Sequence, residues 1–213
     1  FLQQPMGPAN VPMVILGASL LWFGWFGFNA GSALAADATA VNAFVVTNTA
    51  AATAMVTWLI ASWCMDGKPS AVGAATGAVA GLVAITPAAG FVGAMPAIII
   101  GFGAGVLCFG AVKLIEKIKI DDAVAVFGVH GIGGLWGALA TGLFVGVGYG
   151  ALDTGRGEQI INQIIGIAAS GAWAFVVTAA IMLVLKYTIG IKADESGENQ
   201  GLDMSEHGES AFE

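Results

Sequence analysis

Six apolar stretches of about 20 residues or more, the length a helix needs to cross a bilayer, constrain this chain more than any other feature. They fall at about 12–35, 41–65, 70–90, 95–116, 122–148 and 159–190. Between them lie Asp37, then Asp66-Gly67-Lys68-Pro69, Gly90 to Pro96, Lys117 to Asp122, and Asp153 to Glu158. Hydrocarbon offers no partner to a free backbone N–H or C=O, so only helices and closed barrels span it. Barrel strands need just about 9–11 alternating residues, and these runs are longer and do not alternate. The expected fold is all-α: a polytopic membrane bundle of six transmembrane helices over residues 1–190, followed by a polar tail over 191–213.

Charge supports that division. Hydrophobic residues make up 57% of the sequence and charged ones 10%, which places it in the membrane class. The net charge of -7 is not spread over the molecule, because half of the fourteen acids follow Ile191. It therefore gives no reason to expect a nucleic-acid partner. With the N-terminus inside, Lys68, Lys113, Lys117, Lys119, Lys186 and Lys192 fall in inner loops or the tail, and Arg156 alone falls outside. This bias places both ends on the cytoplasmic side of the cell (inner) membrane. Cys64 and Cys108 read as buried free thiols near that side. The opening Phe1-Leu-Gln-Gln-Pro-Met-Gly-Pro has no signal-peptide pattern and no initiator methionine, and suggests a piece of a longer protein.

Glycine recurs every four residues at Gly73, Gly77 and Gly81, at Gly101 and Gly105, and at Gly133 and Gly137. Small residues at that interval let helix backbones approach closely in lipid. His130 is the one ionisable side chain well inside a span, and an ionisable group there is costly unless it faces a polar path or the bundle interior. Counted from Asp122, it lies about 12 Å into its helix, with Gly134, Gly137 and Thr141 on the same face. A purely structural imidazole bonded to a backbone carbonyl is the alternative. The chain holds no second buried histidine to pair with it, since His207 lies in the tail.

The first span carries Trp22-Phe23-Gly24-Trp25-Phe26-Gly27-Phe28-Asn29-Ala30-Gly31-Ser32, in which Leu21, Trp25, Phe28 and Ser32 share a helical face. Phe28 lies about 24 Å and Ser32 about 30 Å from Pro12 along the helix. An aromatic face below a hydroxyl near the outer mouth can attract a small cation, although aromatic residues at such depths also serve as interface anchors. Thr47, Asn48, Thr49 and Thr53 make the second span polar and suit bonds between helices. Thr86-Pro87 reads as a helix break, and Asp121 and Asp122 as caps on the fifth span. With no metal-ligand cluster, phosphate loop or nucleophile beside a base, the sequence gives no sign of an enzyme, a metal site or a cofactor.

Gly24 to Ser32, Gly81-Leu-Val-Ala-Ile-Thr-Pro-Ala-Ala-Gly90, Asp121-Asp122 with Val126-Phe-Gly-Val-His-Gly131, and Gly201-Leu-Asp-Met-Ser-Glu-His-Gly-Glu209 together resemble the ammonium transporter family (Amt/Mep/Rh), in its prokaryotic branch. The resemblance implies eleven spans, built as two inverted five-helix repeats plus a last helix, in trimers with one pore per subunit. The six spans here are similar to the sixth through eleventh, a partial fold of one repeat plus the last helix, without the first pore histidine.

By that resemblance His130 matches the second pore histidine, Phe28 one ring of the phenylalanine gate, and Ser32 the hydroxyl that recruits ammonium. Trp25, Asn29 and Thr86 become candidates for the pore or vestibule lining. Implied partners are ammonium or ammonia, two further copies in a homotrimer, and a PII-type signalling protein at the cytoplasmic face. The tail, disordered on composition alone, would instead dock through Leu202, Met204 and Phe212. The implied function is transmembrane ammonium transport; an ammonium sensor signalling through the tail is the alternative. A fragment holding one wall of a pore is expected not to conduct alone.

Overall fold

The computed structural model describes residues 7–210, and among them there are helices and turns but no strand. The chain divides into two compact units, Phe1–Ile167 and Ala168–Glu213. The helices are α1 Val11–Gly31, α2 Ala38–Asp66, α3 Ala71–Ile85, α4 Ala94–Lys117, α5 Ile132–Phe144, α6 Arg156–Thr188 and α7 Glu195–Gln200. A π-helical turn, Phe127–Gly131, runs directly into α5, and another, Asp203–His207, comes after α7.

Local chemistry sets most helix starts. Asn10, Asp37, Ser70 and Asp194 are N-caps whose side chains accept from the backbone N–H three residues on. Gly67, at φ +76°, ends α2 in the left-handed conformation that glycine adopts without strain. Five helical stretches are long and apolar enough to cross a membrane: α1, α2, α4, the π turn with α5, and α6. The third expected span is the exception, because α3 has only 15 residues. It stops at Ile85 where Pro87, which has no N–H, prevents continuation. The irregular backbone beyond is buried in protein, where it is tolerated. Ala88, Ala89 and Val92 are in the core, and Asn42 Nδ2 donates to the carbonyls of Ala89 at 3.1 Å and Val92 at 2.9 Å.

The glycine repeats seal the first unit. A Cβ on Gly81 would stand 2.5 Å from Ala50 O, and one on Gly77 2.5 Å from Trp58 Cβ, so α3 lies directly on α2. Gly101 meets the backbone of Ala50, and Gly105 meets Thr57, bringing α4 against the same helix. Gly137 of α5 abuts the carbonyl of Ala84 on α3. Arg156 Nη1 donates to Val145 O at 2.8 Å and Gly142 O at 3.4 Å, a cation on the negative end of α5.

Three expectations are corrected. Cys108 is buried, but Cys64 is exposed on the last turn of α2, off the face that packs Trp58 and Ser62. Of the mid-span polar residues expected to bond across helices, Thr47 does so, accepting from Asn29 Nδ2 at 2.9 Å. Thr49 and Thr53 donate to the carbonyls four residues back in their own helix, at 2.9 and 2.8 Å. In the second unit the tail is ordered. Asp194 holds Gly197 N at 2.7 Å, and Gly197 packs against Ser205 with a would-be Cβ 3.2 Å from its Oγ. Leu202 and Met204 are exposed there, and Phe212 lies outside the described residues.

Candidate functional site: an aromatic helix face and a histidine on a wide turn

α3 is the element around which the candidate residues gather. It packs against α1 on one side and against the π turn and α5 on another, while α1 and the π turn share no contact. The first-span residues and His130 therefore sit on separate elements that lean on a common helix.

Two candidate side chains of α1 are tied by hydrogen bonds to neighbouring elements. Trp25 Nε1 donates to Thr86 Oγ1 at 2.7 Å, and that hydroxyl donates in turn to Leu82 O at 2.7 Å. Asn29, 8% exposed, donates through Nδ2 to the buried Thr47 hydroxyl at 2.9 Å. An amide in an apolar bundle must find such a partner or leave a costly unpaired group. These contacts fix both side chains and engage the Trp25 N–H and one N–H of Asn29.

Phe28 is different. It is 59% exposed and meets Trp25 edge to face, with ring centroids 5.8 Å apart and planes at 85°. The two rings line a shallow open groove of about 510 Å³ with Gly17, Leu20, Leu21 and Gly24. Ser32 terminates α1, and its Oγ donates to Phe28 O at 2.6 Å, which leaves its acceptor lone pairs free at the helix end.

His130 lies on the π turn. Its segment begins five residues after the aspartates, not at them. The residues between Ile118 and Ala125 are not helical, so the imidazole stands in the opening turn of its helix and the 12 Å depth count does not apply. Asp122 still provides the cap: Oδ1 accepts from Val126 N at 2.7 Å, and Oδ2 from Phe127 N at 2.9 Å and Gly128 N at 3.3 Å. A carboxylate on three free N–H groups suits the positive helix end. The histidine is exposed, and among the described residues its ring has no hydrogen-bond partner. The structural alternative, an imidazole tied to a neighbouring carbonyl, is thus not what is found.

Several positioning contacts escaped the sequence. Trp136 Nε1 donates to Ile100 O at 2.9 Å across the α4–α5 interface, while Gly103 makes room for the ring. Tyr149 and Thr39 share a hydrogen bond at 2.9 Å. Each was signalled only by a polar group in apolar surroundings, which requires a partner without naming it. Among the described residues no group of three or more His, Cys, Asp or Glu could hold a metal ion.

Comparisons with known proteins bear on the family and the overall fold. The pattern of the Ammonium Transporter Family matches residues 2–212. Ammonium transporter Amt1 of Archaeoglobus fulgidus is 44% identical over 215 residues, covering 100% of this chain and 55% of that protein. A solved structure described as a sensor Amt protein superposes with a TM-score of 0.89 at 35% identity, over 95% of this chain and 51% of its own. The crystal structure of Candida albicans Mep2 gives a TM-score of 0.83 at 37% identity, over 91% and 45%. The chain spans about half the length of the curated relatives it matches. On these similarities the chain is a member of the Ammonium Transporter Family.

Proposed function

We propose that the whole protein to which these residues belong transports ammonium across the cell membrane, and that this chain supplies one wall of the path. The observation that carries the reading is His130: an exposed imidazole without a hydrogen-bond partner among the described residues, on a turn opening an otherwise apolar helix. A free imidazole in such a setting favours proton handling over packing.

Each step rests on the chemistry of a side chain. Ammonium is drawn to the outer mouth by ring faces and by the Ser32 oxygen. Phe28 obstructs the way inward, and moving a full charge through an apolar constriction is expensive. The cation therefore gives up its proton, and ammonia passes beside His130, which with a second histidine relays or stabilises that proton. Trp25, Asn29 and Thr86 hold the lining in shape through their hydrogen bonds. Assembly as a homotrimer, both ends of this chain in the cytoplasm, and regulation there by a PII-type protein belong to the same proposal.

A second reading, an ammonium sensor, is supported by the likeness to the sensor Amt protein. It gives the tail the signalling role. Uptake of labelled methylammonium by the full-length protein separates the two. Transport expects uptake that falls on Phe28→Ala or His130→Ala; sensing expects ammonium-dependent rearrangement of the tail without uptake.

A further inference from the structure

The π turn has a geometric consequence for His130. An α-helix advances about 100° per residue. If residues 126–144 formed one regular helix, His130 would lie within about 20° of Gly137 and Thr141 and about 60° of Gly133 around the axis. That face is closed: Gly137 abuts the backbone of Ala84, Thr141 is 5% exposed, and a Cβ on Gly133 would stand 3.3 Å from both Val83 Cγ1 and Cys108 Sγ. A histidine there would be driven into α3.

The chain instead makes a wide turn, with Ile132 N–H donating to Phe127 O five residues back. Such a turn holds one residue more than a regular one. Residues before the turn are thereby rotated by about 100° relative to those after it. Inside the turn that rotation is shared among its residues, and Val129, not His130, faces the packed side. It is 3% exposed, and its carbonyl accepts from Cys108 Sγ at 3.8 Å, the same thiol that borders Gly133. Gly128 is buried beside it, with Val112 Cγ2 2.7 Å from where a Cβ would stand.

We infer that the turn Phe127–Gly131 is a register device that swings His130 off the packed face of α5 and seats Val129 there, with Gly128 and Val129 as positioning residues for the imidazole. The functional part of this inference rests on the reading that His130 borders the ammonium path; the register itself does not. A side chain at 128 would press on Val112 and open the turn. A ring held by backbone register alone, with no hydrogen bond to orient it, moves with any such displacement directly.

The test uses the full-length protein with the exposed Cys64 replaced by serine. Val129→Cys and His130→Cys are made separately, and membranes are oxidised with copper phenanthroline. Val129→Cys pairs with the native Cys108 and both thiols are lost to alkylation, whereas His130→Cys stays alkylable. Pairing of His130→Cys, or of neither, overturns the register. In a second arm, Gly128→Val gives ammonium flux the altered pH profile of His130→Ala; a wild-type profile in a folded Gly128→Val protein overturns the positioning role. Should His130→Ala itself keep the wild-type profile, the pore-histidine reading fails while the crosslinking result stands.

Discussion

α1 and α3 are both strongly apolar helices, yet they join the bundle in opposite ways. α3 has 15 residues, nine of them buried and all nine glycine or aliphatic. α1 has 21 residues, and the single buried one is an asparagine. The glycines sharpen the contrast. Gly73, Gly77 and Gly81 on α3 leave no room for a Cβ, whereas Gly17, Gly24, Gly27 and Gly31 on α1 have no heavy atom within 4 Å of one. In lipid, hydrophobicity does not distinguish a helix neighbour from a lipid tail, so association rests on close packing and on interhelical hydrogen bonds. α3 uses the first and α1 the second. Phe28 stays exposed and lines the groove beside the bonded Trp25.

The contrast breaks most visibly at Gly81. Gly81→Leu forces side-chain atoms into the backbone of Ala50 and Ala51, which cannot give way. It should destabilise by about 3 kcal/mol or more, measured as loss of the monodisperse species in detergent. Retention of wild-type stability would show that α3 is not seated by contact. Next in size, Asn29→Leu strands the buried Thr47 hydroxyl and costs about 1–3 kcal/mol. Because the bond ties α1 to α2, faster proteolysis in the 32–37 connection is the expected sign. Trp25→Phe keeps the ring but loses the bond to Thr86, a loss of about 1 kcal/mol in thermal unfolding.

The smallest effect is also the sharpest comparison. Gly27→Ala should be neutral or stabilising by up to about 1 kcal/mol through helix propensity, while Gly77→Ala, blocked by Trp58, destabilises. Equal effects of the two substitutions would remove the distinction between the helices.

Much of this architecture was legible in the residues. Helical spans are dictated by apolar length and the backbone's need for internal partners, and the glycine interval pointed to a dense bundle, though not to α2, which has no glycine, as the helix that α3 and α4 pack on. Trp25 and Thr86 were separate candidates in the sequence; that they bond to each other is a tertiary fact no local pattern contains. The short α3 was half visible, because Thr86-Pro87 marked a break but gave no hint that the backbone beyond it would be buried and held by Asn42.

Least legible was the surroundings of His130. Periodicity assumes one regular turn after another, so it placed the histidine on the face of Gly137 and Thr141. One extra residue in a single turn moves it away, and the neighbours of that turn, Val112 and Cys108, come from another helix. The placement of Cys64 failed similarly: near the end of an apolar run, a shift of one residue, about 100° around the helix, decides whether a thiol is buried.

The central claim is that His130 handles the proton of a passing ammonium. Its most direct test is the change in internal pH of proteoliposomes after an ammonium pulse, with the full-length protein and its His130→Ala variant reconstituted at equal density. The account predicts a clear ammonium-dependent response in the first and a strongly diminished or differently pH-dependent one in the second. Identical responses at every pH would contradict it.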